Sequence, residues 1–108
     1  MLPKKSRTDK KAIERVFKEG KFINFPHLTF KFIQTRSSVS PRISFIVPKS
    51  IAKLAVKRNK LRRRGYDVLK TYITDFPLGL IGVFIFKKYQ DDISIIKDEI
   101  KTILSKIN

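Results

Sequence analysis

The most chemically informative segment of this 108-residue chain is the run KRNKLRRR at positions 57–64. It stands in a longer stretch, from Lys21 to Tyr66, that contains twelve Lys or Arg residues and not one Asp or Glu. Guanidinium groups bind phosphate through a planar fork of N–H donors, and ammonium groups bind it as point charges. The run therefore predicts binding to a polyanion, either a nucleic acid or an anionic membrane.

Residue types that catalyse reactions are sparse in this chain. His27 is the only histidine, and because it has no Cys or paired carboxylate nearby in sequence, it is interpreted as a surface residue of a turn. Asp91, Asp92, Asp98 and Glu99 are interpreted as helix charges rather than as a two-metal cluster. We therefore predict no catalytic residue and leave a metal site of the protein unassigned.

Length and composition indicate one small domain over residues 1–108. Hydrophobic residues make up 42% of the chain, so it should fold despite a formal net charge of +16. The chain has no cysteine, which fits a cytoplasmic location, and its longest apolar stretch, 78–86, is too short to span a membrane. Residues 1–8 are basic and polar and are predicted to form a flexible arm.

The elements that must position the basic run follow from hydrophobic periodicity and from turn residues. The first helix is predicted to begin at an N-cap, Asp9, and to end at Gly20 in the left-handed conformation. The first three strands are predicted to form a meander. Taken together, the pattern predicts an α+β fold, a single two-layer domain with a four-stranded sheet packed by helices, in the order α-β-β-β-α-β-α. After the first helix the predicted elements are strands at 22–25, 28–34 and 43–47, a helix at 53–73, a strand at 81–86 and a helix opened by Asp91 and Asp92.

The basic run lies on the second predicted helix. Like charges one turn apart repel, so the stacking of Arg58 with Arg62, and of Lys60 with Arg64, favours an anionic partner. Both this helix and the last one carry an apolar stripe that should face the sheet. The stripes consist of Leu54, Leu61, Gly65, Val68, Leu69 and Tyr72 in the second helix, and of Ile93, Ile96, Ile100, Ile103, Leu104 and Ile107 in the last.

Residues before and within the basic helix carry a resemblance to a known family. The segment VPKS at 47–50 is followed by AVKRNKLRR at 55–63, and RVFKEG at 15–20 and PRI at 41–43 fit the same pattern. Together they resemble the bacterial ribonuclease P protein subunit, in which a strand ending Val-x-Lys-Lys precedes a helix bearing Arg-Asn-Arg-x-Lys-Arg. Ser50, Lys60 and Gly65 depart from that pattern. Gly65 is an unusual residue for the interior of a helix, where glycine costs about 1 kcal/mol relative to alanine unless close packing compensates.

The resemblance implies an accessory subunit of an endoribonuclease whose catalytic component is RNA. That RNA removes the 5′ leader of precursor tRNA with magnesium, which is used mainly by the RNA, while the protein binds catalytic RNA and leader. A left-handed β-α-β crossover is implied as well, against the general right-handed rule. No protein partner and no membrane are expected. The residues expected to meet the catalytic RNA are Lys49, Lys53, Lys57, Arg58, Asn59, Lys60, Arg62 and Arg63.

The resemblance also places the leader in a cleft between the first helix and the sheet, where Ile13, Phe17 and Lys31 are the expected contacts. Relatives often have aromatic residues at the positions of Ile13 and Lys31, so this cleft should depend more on charge, with Lys31 touching phosphate. Phe17 has two interpretations: a platform on which a leader base stacks, or an ordinary core residue. Helical periodicity alone favours the core.

Three other functions compete with this interpretation. A non-catalytic RNA-binding protein of another assembly, such as the ribosome, could use the same basic helix, although Asn59 within the motif argues against it. A nuclease that acts alone would need a carboxylate cluster or a catalytic base, which the sequence does not supply. A sequence-specific DNA reader is disfavoured because no helix-turn-helix pattern or zinc site surrounds the basic helix.

Overall fold

The computed structural model describes residues 10–107 of the chain. The predicted order of elements is confirmed, and the helix and strand ends fall within two residues of their predicted positions. Asp9 and the predicted arm at 1–8 lie outside the described residues. The elements are α1 (Lys10–Glu19), β1 (Lys21–Asn24), β2 (Leu28–Gln34), β3 (Arg42–Ile46), α2 (Ala55–Tyr72), β4 (Leu80–Phe86) and α3 (Ile93–Ile107), with one 3-10 turn, Ile73–Asp75, after α2.

The sheet has the strand order β1-β2-β4-β3, so the predicted meander is wrong for its third strand. β4 lies between β2 and β3, antiparallel to the first and parallel to the second. The reason is visible in the composition of β4, LIGVFIF, which is apolar on both faces and therefore most stable in the middle of the sheet. α2 connects the parallel strands β3 and β4. The left-handed sense of that connection stays a prediction from the resemblance.

One face of the sheet packs against α2 and α3. Its centre is a row of stacked rings, in which the centroids of Phe30 and Phe84 are 4.4 Å apart and those of Phe84 and Phe45 are 5.0 Å apart. Most residues of the two predicted helix stripes are buried here. Leu54, which lies just before α2, and Ile93, the first residue of α3, are exposed. This layer fixes α2, and its basic residues, on the sheet.

At Gly65 and Gly20, neighbouring atoms lie too close to the backbone to leave room for a side chain. A Cβ at Gly65 would lie 2.6 Å from the ring of Phe45, which is the close packing that its position inside a helix demands. Gly20 ends α1, but its φ is not positive, so the predicted left-handed conformation is wrong. Its N–H donates to the carbonyl of Val16 at 2.8 Å, and a Cβ there would lie 2.3 Å from that same oxygen.

The opposite face of the sheet is covered by α1. Val16 of α1 and Val83 of β4 are fully buried, and α1 contacts β2 and β4. Phe17, the next residue of α1, is 45% exposed. The interpretation of Phe17 as a core residue is therefore wrong, since Val16 takes that position under the helix.

A buried carboxylate ties α3 to the turn between β1 and β2. Glu99 Oε1 accepts hydrogen bonds from the backbone N–H groups of His27, at 3.0 Å, and Leu28, at 3.1 Å. Glu99 Oε2 lies 2.6 Å from Nδ1 of the His27 ring. The interpretation of His27 as a surface turn residue is therefore wrong, since its side chain is half-buried against Glu99. Glu99, interpreted from sequence as a helix charge, is buried and binds this turn.

Candidate nucleic-acid interface

The eight residues predicted to meet catalytic RNA all lie in the β3–α2 connection or in the first half of α2. Arg58 and Arg62 are half-buried and the other six are exposed. α2 begins without a side-chain cap and without an acidic residue in its first turn, so the helix adds no negative charge there. We call this surface the basic face; it consists of Lys49, Lys53, Lys57, Arg58, Asn59, Lys60, Arg62 and Arg63.

Arg58 shapes the loop that leads into α2. Its Nη1 donates to the carbonyl of Ala52 at 3.0 Å and to the carbonyl of Lys53 at 2.7 Å. The sequence predicts a free guanidinium fork for phosphate, whereas this group is partly used within the protein. Arg58 therefore positions Lys53, and a substitution at Arg58 would disturb the loop as well as remove a charge.

Asn59 and Arg62 form a pair on the surface of α2. Arg62 Nη2 donates to Asn59 Oδ1. This bond orients the guanidinium while leaving its other N–H groups for a ligand. The amide NH₂ of Asn59 makes no hydrogen bond within residues 10–107, so it can donate to an RNA oxygen.

Lys60 is the member of the basic face that is bound to an acid. Its Nζ lies 3.1 Å from Oδ2 of Asp91, in the segment that precedes α3. The hydrogen bond from Lys60 lowers the pKa of Asp91 below its ordinary value, because it stabilises the charged carboxylate. Arg63, in contrast, forms no ion pair in the described part of the chain. The field of the basic face therefore remains strongly positive, and a polyanion is the ligand that would neutralise it.

The second surface lies where α1 crosses the sheet. Lys31 Nζ is 4.8 Å from the centroid of the Phe17 ring, in a cation–π arrangement, and Ile13 is half-buried one helical turn before Phe17. The structure thus brings Ile13, Phe17 and Lys31 together; we call this surface the aromatic cleft. Phe22, which sequence reasoning missed, is exposed on β1 opposite Lys31. Side chains alternate across β1, so the sequence indicates which residues share a face with Phe22. Only the pairing register of β1 with β2 places Phe22 beside Lys31.

Metal ligands do not converge in the described residues. Within 10–107, no three His, Cys, Asp or Glu side chains are grouped so that they could hold a metal ion. None of the helices described is long and apolar enough to cross a membrane.

Comparisons with known proteins agree with this architecture. The family model described as Ribonuclease P matches residues 2–108. The chain is 33% identical over 95 residues to the "Ribonuclease P protein component" of Borrelia duttonii, covering 88% of this chain and 81% of the relative. It is 29% identical over 86 residues to the protein of the same name from Finegoldia magna, covering 80% and 74%.

Solved structures share the fold at lower identity. The RNase P protein from Thermotoga maritima superposes with a TM-score of 0.81 at 22% identity, covering 94% of this chain and 97% of that one. The RNase P protein of Staphylococcus aureus gives a TM-score of 0.79 at 20% identity, covering 95% and 98%. The family match over nearly the whole chain and the fold together show that this chain belongs to the ribonuclease P protein family, the protein subunits of a tRNA-processing endoribonuclease whose catalytic component is RNA.

Proposed function

We propose that the protein binds the catalytic RNA through the basic face and the 5′ leader of precursor tRNA through the aromatic cleft. The observation that carries the proposal is the run of cationic residues on α2 that, apart from Lys60, has no acidic partner in the described residues. Family membership argues against the alternative of a ribosomal or other RNA assembly. We further propose that the whole chain acts as one RNA-binding domain in the cytoplasm, where the absence of cysteine is expected.

The role proposed for the basic face is electrostatic. Folded RNA packs phosphates closely, and their repulsion is reduced either by magnesium or by bound cationic side chains. A protein of net charge +16 that docks beside the catalytic RNA would take over part of that task. Magnesium is proposed to serve mainly the RNA, as membership of this family implies.

The test of this proposal is reconstitution with the cognate catalytic RNA. Precursor tRNA should stay intact with the protein alone, whereas adding the protein to the RNA should raise leader cleavage most strongly at low magnesium and moderate salt. The readout is the rate of appearance of the 5′ leader on a denaturing gel. Cleavage by protein that has been freed of RNA and of trace nucleases would overturn the proposal.

Phe17 tests the aromatic cleft separately. Its ring is 45% exposed, so Phe17→Ala should leave the fold intact while removing a stacking surface. Stacking of a base on an aromatic ring is worth about 1 to 3 kcal/mol. We therefore expect the preference for precursor over mature tRNA to fall by about 5- to 150-fold, with little change in the binding of catalytic RNA.

The matched control for Phe17 is Leu78→Ala, which removes another exposed apolar side chain in the segment just before β4. Thermal unfolding of both variants shows whether they remain folded. A folded Phe17→Ala protein with the wild-type preference for precursor would mean that the cleft does not bind the leader through this ring.

A further inference from the structure

A third feature lies beside the start of α2. Here the loop before the helix and the loop between β4 and α3 border an open cavity of about 320 Å³. Both apolar and cationic side chains line the cavity. A surface that binds by charge alone would not need the apolar ones. It is lined by Ile51, Ala52, Lys53, Leu54, Lys57 and Tyr89.

The apolar side chains at this cavity are open to solvent. Leu54 is 59% exposed and Tyr89 is 42% exposed, and Val56, in the first turn of α2, is 70% exposed. Single exposed apolar residues are ordinary, but a group of them around a cavity that also carries lysine side chains suggests a binding surface. Leu54 belongs to the predicted core stripe of α2, but it lies just before the helix, where its side chain is exposed beside the cavity.

Contacts to α2 reach the segments on both sides of the cavity. The hydrogen bonds from Arg58 to the carbonyls of Ala52 and Lys53 hold one wall. The ion pair between Lys60 and Asp91 holds the other wall, because Asp91 is two residues from Tyr89. The wall formed by Ala52 and Lys53 is therefore already in place in the free protein, which reduces the entropy lost on binding.

The chemistry of the lining restricts the occupant. An aromatic ring and a leucine side chain favour a flat, weakly polar group, while Lys53 and Lys57 at the same cavity favour anions on either side of it. A single-stranded nucleotide offers both, a base to stack and phosphates to pair. A second copy of this chain is a poor occupant, because two proteins of net charge +16 repel each other.

We infer that this cavity binds one unstacked nucleobase of the catalytic RNA, with Tyr89 and Leu54 contacting the base and Lys53 and Lys57 contacting the flanking phosphates. The inference rests on the proposed function, in which the basic face binds that RNA. It adds a contact that recognises a local RNA shape to a surface that otherwise binds by charge.

The test compares Tyr89→Ala and Tyr89→Phe with the wild type in binding to the cognate catalytic RNA over a range of salt concentrations. Tyr89→Ala should raise the Kd by about 5- to 150-fold, because a stacked base is lost. The slope of log Kd against log salt should stay the same, since no charge is removed. Tyr89→Phe should retain most of the affinity, and Leu78→Ala, at the opposite end of β4, should behave as wild type.

Chemical probing of the RNA supplies a second measurement. Wild-type protein should protect at least one single-stranded base that becomes reactive again with Tyr89→Ala. Leu54→Ala should make the same base reactive again. Because the Leu54 side chain is more exposed than that of Tyr89, this variant allows the test even if Tyr89→Ala unfolds.

The outcomes separate this inference from the proposed function. Wild-type affinity and protection in folded Tyr89→Ala and Leu54→Ala, alongside salt-dependent binding of the wild type, would overturn the inference and leave the proposed function standing. Self-association of the free protein that disappears in Tyr89→Ala would assign the cavity to a second copy and also overturn it. A wild-type protein that binds the catalytic RNA no better than an unrelated RNA would overturn the proposed function itself.

Discussion

Replacing Glu99 by alanine is expected to lower the free energy of unfolding by about 3 kcal/mol. The carboxylate is buried and accepts two backbone hydrogen bonds, from His27 and Leu28, besides its contact with the His27 ring. A hydrogen bond to a charged group is worth about 1.5 to 3 kcal/mol, and a buried donor left without a partner costs about 1 to 3 kcal/mol. Urea unfolding monitored by circular dichroism measures the change.

The chain offers a matched control in the neighbouring residue of the same helix. Asp98→Ala removes the same charge from an exposed position and should change the free energy of unfolding by less than about 0.5 kcal/mol. Glu99→Gln should fall between the two, since an amide keeps one acceptor oxygen. Equal unfolding midpoints for Glu99→Ala and Asp98→Ala would show that the carboxylate does not hold the turn.

Removing Arg62 and Arg63 together is expected to weaken binding to the catalytic RNA by more than about 100-fold at moderate salt. Each guanidinium can form charge-assisted hydrogen bonds with phosphate, worth about 1.5 to 3 kcal/mol per group. Each duplex phosphate contact contributes about 0.9 to the slope of log K against log salt, so the slope should flatten by about 1.8. Filter binding over a salt series gives both quantities. Arg58 is the less suitable target because its side chain also holds the loop before α2.

The control for the double variant removes two charges elsewhere. Lys97→Ala with Lys101→Ala takes the same net charge from exposed positions of α3. Its slope should stay near the wild-type value. If both double variants weakened binding equally, net charge alone would drive binding and the basic face would not be a specific site. Arg62→Lys with Arg63→Lys should restore the slope but only part of the affinity, because lysine lacks the planar fork.

Features that depend on neighbours in sequence could be predicted. Helical periodicity located α2 and put most of its charges on the exposed side. The pair of acids before the last helix correctly marked its start, where Asp92 Oδ1 accepts a hydrogen bond from the backbone N–H of Ser94 at 2.9 Å. These signals are local, and local chemistry is sufficient to produce them.

Features that depend on distant residues could not be predicted. The burial of Glu99 follows from a turn 72 residues away in the chain, and nothing near Glu99 in sequence signals it. The exposure of Phe17 depends on which residue of α1 lies over β4, and Val16 occupies that position. The sequence gives no sign that Arg58, among several basic neighbours, binds backbone carbonyls. Only the geometry of the loop before α2 shows these hydrogen bonds.

The central position of β4 has a consequence for the order in which the protein can fold. β2 and β3 each pair with β4 and not with each other. Gln34 of β2 can therefore pair with Leu80 of β4 only after the ribosome has synthesised Leu80. Pairings between residues so far apart close slowly, because the entropy of a long loop must be lost first. During synthesis, the cationic helix therefore leaves the ribosome before the sheet that supports it can form. We expect the nascent chain to carry its positive charge unshielded for that interval, next to the RNA of the ribosome that makes it.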